Sequence, residues 1–145
     1  MSAAPESQRI VVGVDGSPES ATALSFAIDE ARLRGADLHV IYAYAAQASL
    51  TGWTADDYYK QVEAEAKAAL EAVANAAPPT DDLTVDWRCI PGNPAEILIE
   101  ESRHADILVV GSRGLGGFLG LVMGSVSSQC VHHSRCPVLV VREEH

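Results

Sequence analysis

Basic side chains are scarce in this chain of 145 residues: ten Lys and Arg stand against twenty Asp and Glu, for a formal net charge of −10. A chain this acidic lacks the basic footprint that nucleic acid or an anionic membrane surface requires, so neither is expected as a partner. Lysine is confined to Lys60 and Lys67, and the phosphate loop GxxxxGK[ST] is absent. The dinucleotide fingerprint GxGxxG is missing as well, since no glycines of the rich stretch stand at i, i+2 and i+5. Cysteine is limited to Cys89, Cys130 and Cys136, an odd number in no framework spacing, which points to a reducing cytoplasm rather than a disulfide scaffold. No apolar run approaches the ~18 residues of a membrane span. The opening MSAAPESQR has no apolar core of a secretory signal. A cytoplasmic protein of one domain is expected, residues 9–143, behind a short disordered lead at residues 1–8.

What is abundant is glycine in one place. Ile107-Leu108-Val109-Val110 reads as a strand buried on both faces, followed by Gly111, Gly114, Gly116, Gly117 and Gly120, and then Gly124-Ser125-Val126-Ser127. Glycines let a ligand approach the backbone, and a helix restarting at Gly-Ser offers free amides at the positive end of its dipole. A strand, a glycine loop and a helix start in that order form a candidate phosphate site.

The rest of the chain alternates strand and helix. Ile10–Asp15 is an apolar strand ending on an acid, and Gly16-Ser17-Pro18 supplies a turn, a helix N-cap and a first-turn proline. The helix to Arg34 carries Leu24, Ile28 and Ala31 on one stripe, and Gly35 fits a left-handed C-cap. A strand at Leu38–Ala43 contains His39, read as an edge-facing or satisfied strand residue. A loop Tyr44–Thr54 leads to a helix ending near Ala77, with Val62, Ala66, Leu70 and Val73 inward. Leu83–Ile90 alternates as a half-covered edge strand, and Asn93-Pro94-Ala95-Glu96 caps a short helix to about His104. The Ile107 strand, a helix from Val126 to about His133 and a strand at Pro137–Arg142 complete the series. Such alternation implies an α/β parallel sheet with right-handed crossovers. Ligands of these sheets sit beyond the carboxyl ends of the strands, where Asp15, Ala43 and Gly111 can converge with Ser125 and Ser127.

The spacing Gly111-x2-Gly114-x9-Gly124-Ser125 resembles the G-x2-G-x9-G-[S/T] motif of ATP-binding universal stress proteins. The likeness extends through VVGVDGS, Gly92-Asn93-Pro94, DILVVGSRG, MGSVS and CPVLVVR, and so from Ile10 to Arg142. It implies a five-stranded parallel sheet of order 3-2-1-4-5 with helices on both faces. It also implies ATP, or a related adenine nucleotide, carried with Mg²⁺. In that likeness Asp15 meets the ribose and the metal–phosphate region, with Gly13 beside it, and the backbone at Ala43 meets the adenine. Val110 and Gly111 flank the sugar and phosphate, Gly114 lets the loop close, and Gly124, Ser125, Val126 and Ser127 supply amides and hydroxyls to phosphate.

From the residues alone, other roles stand beside these. Asp15 equally suits a turn, and Ser125 and Ser127 taken in isolation fit a helix cap better than a ligand site. Arg113 either neutralises phosphate or is a solvated loop charge. Cys130, His133 and Cys136 suggest a metal cluster, but Cys130 fits the inward face of its helix and no fourth ligand is evident. The leading function is a nucleotide-binding stress or signalling module without efficient turnover. A slow ATP hydrolase or phosphoryl-transfer enzyme and a nucleotide-free interaction protein are the other two classes. In the 3-2-1-4-5 order the apolar strand Val138–Val141 lies at a sheet edge, so a homodimer covering it is expected.

Overall fold

The computed structural model describes residues 8–45, 55–113 and 123–142. Its elements run β1 (Arg9–Val14), α1 (Pro18–Arg34), β2 (Asp37–Tyr44), α2 (Ala55–Ala76), β3 (Val85–Pro91), α3 (Pro94–Ser102), β4 (Ile107–Gly111), α4 (Ser125–His133) and β5 (Val138–Val141). The strands form one sheet of order β3-β2-β1-β4-β5, and every neighbouring pair is parallel. This is the expected order.

Local signals set the helix ends. Ser17 caps α1, its side chain accepting from the Ser20 amide, and Pro18 follows at the first helical position. Gly35 closes the helix at φ 62°, a left-handed geometry that glycine adopts without steric cost. Asn93 caps α3 by accepting from the Glu96 amide at 3.1 Å.

Two apolar layers sandwich the sheet. On one face Ile10, Val12, Leu38, Val40 and Val109 pack under Leu24, Ile28 and Ala31 of α1 and Leu70 of α2. On the other, Val11, Ile41, Leu108 and Val110 pack under Leu98 of α3 and Cys130 of α4. The period of two sends alternate residues of each strand to opposite faces, and the helices cover both. Cys130 is fully buried, and burial, with Cys136 nearby, pushes its thiol pKa up to about 11.

Several boundaries differ from the sequence expectation. The third strand begins at Val85 rather than Leu83, because Leu83 closes a turn by donating its amide to Thr80. The last helix begins at Ser125, one residue early, and α3 gives way after Ser102 to shorter turns made by the amides of Arg103 and His104. His39 is neither at an edge nor satisfied. It lies on β2, between β1 and β3, and its buried Nδ1 makes no hydrogen bond, with Asp86 Oδ2 3.5 Å away.

A candidate anion site at the carboxyl ends of β1 and β4

The order reverses between β1 and β4, where chain connections leave to opposite sides and open a crevice. Val12 is level with Val109, so Val14 and Gly111 end their strands side by side. β2 runs further: Val14 faces Tyr42, leaving Ala43 and Tyr44 beyond the end of β1 with only β3 beside them. Ala43 thus presents its backbone at the rim of the crevice.

Asp15 follows β1 directly. Its Oδ1 accepts from the Ser17 amide at 2.9 Å, and its own amide donates to Ser20 Oγ at 3.2 Å. The acid is therefore a turn residue and a crevice residue at once, its carboxylate oriented by the start of α1. Across the crevice, Gly124 precedes α4 and makes no side-chain cap, so the amides of the first turn have no hydroxyl or carboxylate of the cap residue folded over them. Ser125 is exposed there and Val126 half-buried.

Ser127 has a different setting. It is buried, and its hydroxyl donates to the Ser112 carbonyl at 2.7 Å and lies 3.1 Å from that of Gly124. Ser112 also accepts from the Gly124 amide at 2.6 Å and donates its own amide to Val141 at 2.8 Å. The end of β4 is thereby tied to β5 and to the first turn of α4.

The glycines at 13 and 111 have packing reasons. A Cβ at Gly13 would lie 2.6 Å from Leu98 Cδ1, so α3 seats itself on that position. A Cβ at Gly111 would meet the Glu19 backbone at 3.1 Å, so the first turn of α1 crosses the end of β4 in direct backbone contact. Val110 sends its side chain into the core and can offer only backbone to the crevice. Gly114 lies outside the described residues.

Arg113 is not a solvated loop charge: it is held in an ion pair, with its side chain 28% exposed. Its guanidinium reaches Glu19 Oε1 through Nη2 at 3.2 Å and Nε at 3.3 Å, while its amide donates to Glu19 Oε2 at 2.5 Å. Glu19 is thus a second acid at the crevice, where the sequence suggested Asp15 alone. Burial works to raise the pKa of Glu19, but the hydrogen bonds from Ser112 and Arg113 and the arginine charge outweigh it, and the carboxyl sits below its ordinary value. Glu19 and Ser112 escaped sequence reasoning because an acid in a first helical turn reads as a dipole partner, and nothing in spacing joins positions 93 residues apart.

Residues 6–142 match the universal stress protein family, and thus nearly the whole chain, including every element that builds the crevice. The chain belongs to the universal stress protein family. It is 36% identical over 139 residues to universal stress protein Rv2005c of Mycobacterium tuberculosis, a match covering 96% of this chain and 47% of that protein. The chain spans about half the length of the curated universal stress proteins it matches, 47% for the relative just named. Among solved structures, a universal stress protein in complex with cAMP is 30% identical with a TM-score of 0.70, covering 92% of this chain and 96% of that one. The universal stress protein UspA from Lactobacillus plantarum, 23% identical, superimposes with a TM-score of 0.75 over 96% of this chain and 100% of its own, and shares the fold.

Proposed function

We propose that this universal stress protein binds an adenine nucleotide, ATP with Mg²⁺ in the first instance, as a nucleotide-dependent stress or signalling module. The observation that carries the reading is the first turn of α4, whose cap residue Gly124 brings no side chain of its own and which is tied through Ser112 to the end of β4, the strand paired with the one that leads into Asp15. The amides of Ser125, Val126 and Ser127, with the Ser125 hydroxyl, are donors for phosphate oxygens, and the helix dipole favours the charge. Gly13, Val110 and Gly111 contribute close backbone, and Ala43 a backbone edge for the base. Gly114 holds the second glycine position of the matching motif. Asp15 suits Mg²⁺, a hard cation that takes one or two carboxylates and otherwise water and phosphate oxygens. The relative solved with cAMP supports an adenine nucleotide of some kind.

The role is binding without efficient turnover. Lys60 and Lys67 lie on α2, and Arg113 is paired with Glu19, so none of these three is a ready cation for phosphoryl transfer. A cytoplasmic setting suits the free thiols Cys89, Cys130 and Cys136, and no helix of the described residues is long and apolar enough to cross a membrane.

Titration calorimetry with ATP and Mg²⁺, AMP and cAMP tests the reading and ranks the ligands. Gly114→Val is expected to abolish ATP binding with the circular dichroism spectrum unchanged. Asp15→Ala is expected to weaken ATP binding and blunt its dependence on Mg²⁺. Wild-type affinity in folded Gly114→Val would place the nucleotide elsewhere.

A homodimer belongs to the same proposal. The two sheet edges differ in kind: β3 carries Asp86, Arg88 and Pro91, residues that discourage pairing, whereas β5 is Val138-Leu139-Val140-Val141. Phe26 and Leu33 of α1 are 50% and 82% exposed, and they follow Glu19, which meets Ser112 beyond the end of β4, at intervals of seven. Pairing of β5 with its copy across a two-fold axis would cover this apolar border.

A further inference from the structure

An acid in the first turn of a helix ordinarily stays in water and gains a little from the helix dipole. Glu19 does not. It is 6% exposed, and four donors converge on its carboxylate: Ser112 Oγ at 2.7 Å, the Arg113 amide at 2.5 Å, and Arg113 Nε and Nη2 at 3.3 and 3.2 Å. Gly111 allows this approach, since any larger residue would press on the Glu19 backbone. Ser112 in turn accepts, through its carbonyl, from the Gly124 amide and Ser127 Oγ at the head of α4. An unbroken line of hydrogen bonds therefore runs from α1, through the end of β4, to the turn whose amides face the crevice.

A buried ion pair is a poor source of net stability, because desolvation offsets most of its Coulomb energy, and an apolar residue would serve packing alone as well. What a carboxylate with four directed donors does supply is a fixed orientation of the groups around it. We infer that Glu19 is a positioning residue for nucleotide binding, holding Ser112 and Arg113 so that the amides of Ser125–Ser127 are aimed at phosphate, with Arg113 engaged by Glu19 rather than by the ligand. This rests on the adenine-nucleotide reading above. Arg113 then contributes through the pair it makes, and its charge is spent on Glu19 in the bound state as in the free one.

The sign of one substitution separates this from an arginine that reaches phosphate. Were Arg113 a phosphate ligand restrained by Glu19, Glu19→Gln would release it and tighten ATP binding. As a positioning residue, Glu19→Gln leaves an amide NH₂ against the guanidinium, loosens residues 112–113 and weakens ATP binding by about tenfold, the scale of one lost charge-assisted hydrogen bond. Adding Arg113→Gln restores a complementary neutral pair and recovers part of the loss.

The decisive measurement is a double-mutant cycle on ATP–Mg²⁺ affinity over wild type, Glu19→Gln, Arg113→Gln and the double variant, each well below its own Tm. Amide ¹⁵N–¹H shifts of Ser125–Ser127 are recorded without ligand. Expected are weakened binding in Glu19→Gln, partial rescue in the double variant, and shifted Ser125–Ser127 amides in Glu19→Gln before any nucleotide is added. Unchanged or tighter binding in Glu19→Gln, beside a wild type that binds, overturns the positioning role alone. So does a lowered Tm with affinity and amide shifts both unmoved. A wild type that binds none of ATP, AMP and cAMP overturns this inference and the nucleotide reading together.

Discussion

Ser127 Oγ donates to the carbonyl of Ser112 at 2.7 Å, fastening the first turn of α4 to the end of β4. Of the two serines flanking Val126, one is thus structural in its hydrogen and the other, Ser125, is exposed at the crevice.

Substituting each serine should separate stability from binding. Ser127→Ala removes a buried hydrogen bond, and a loss of about 1–2 kcal/mol in urea unfolding is expected. Ser125→Ala should leave unfolding unchanged and cost about 1–2 kcal/mol of ATP binding, because neighbouring amides remain. Calorimetry beside denaturation checks both; equal effects of the two variants on stability would contradict the assignment.

The two packed glycines should respond unequally to a methyl group. At Gly13 the obstacle is the end of the Leu98 side chain, which can turn aside, so Gly13→Ala is expected to cost about 1 kcal/mol. Leu98→Val should recover part of it by making room. At Gly111 the obstacle is the Glu19 backbone itself, so Gly111→Ala must displace the turn of α1 and should cost more, about 1–3 kcal/mol. Urea midpoints at constant m-value decide the ranking.

These contrasts mark what could be read in the sequence. The caps at Ser17, Gly35 and Asn93 were legible because capping acts over three or four residues, and the parallel sheet because strand and helix periods alternate. The crevice was legible as a place, since Asp15, Gly111 and Gly124 each end or begin an element. The reasons for individual residues were not. Leu98 lies on α3, far along the chain from Gly13, and Glu19 meets Ser112 across 93 residues. Contacts of that kind follow from how elements stack, and no local period or spacing encodes them. The start of β3 was misplaced for a simpler reason: Leu83 continues the strand alternation, yet its amide closes a turn.

Acid should weaken the fold in two separate windows. Burial, then the nearby Arg9, holds the His39 pKa below its ordinary 6.5, with Asp86 opposing and Arg88 and Glu101 also facing it. The unfolded chain therefore takes up a proton first as pH falls. The stability contributed by neutral His39 is complete above pH 6.5 and is lost as pH drops through the folded pKa. Glu19, held below 4.5, contributes stability that is complete above that value and disappears as pH falls further. Urea midpoints measured from pH 7.5 down to about 5 should decline in wild type and decline less in His39→Gln. Parallel profiles would mean that His39 is not the group being titrated.

The edge strand allows the sharpest test of assembly. Carbonyls of Pro137 and Val141 accept from the amides of Leu108 and Ser112, so these alternate positions of the last strand face β4. By the alternation of a parallel ladder, the backbone groups of Val138 and Val140 point to the open edge. Val140→Pro removes an outward donor while sparing the pairing with β4, and Val140 is only half-buried. The substitution should therefore weaken a β5-to-β5 dimer with little loss of the monomer fold. Phe26→Ser, on the flanking helix, removes exposed apolar surface without touching the ladder and should weaken the dimer less. Sedimentation of wild type at tens of micromolar is expected to show a dimer, with Val140→Pro shifted toward monomer at an unchanged circular dichroism spectrum. A monomeric wild type at that concentration would exclude the interface, and a dimer untouched by Val140→Pro would assign it to another surface.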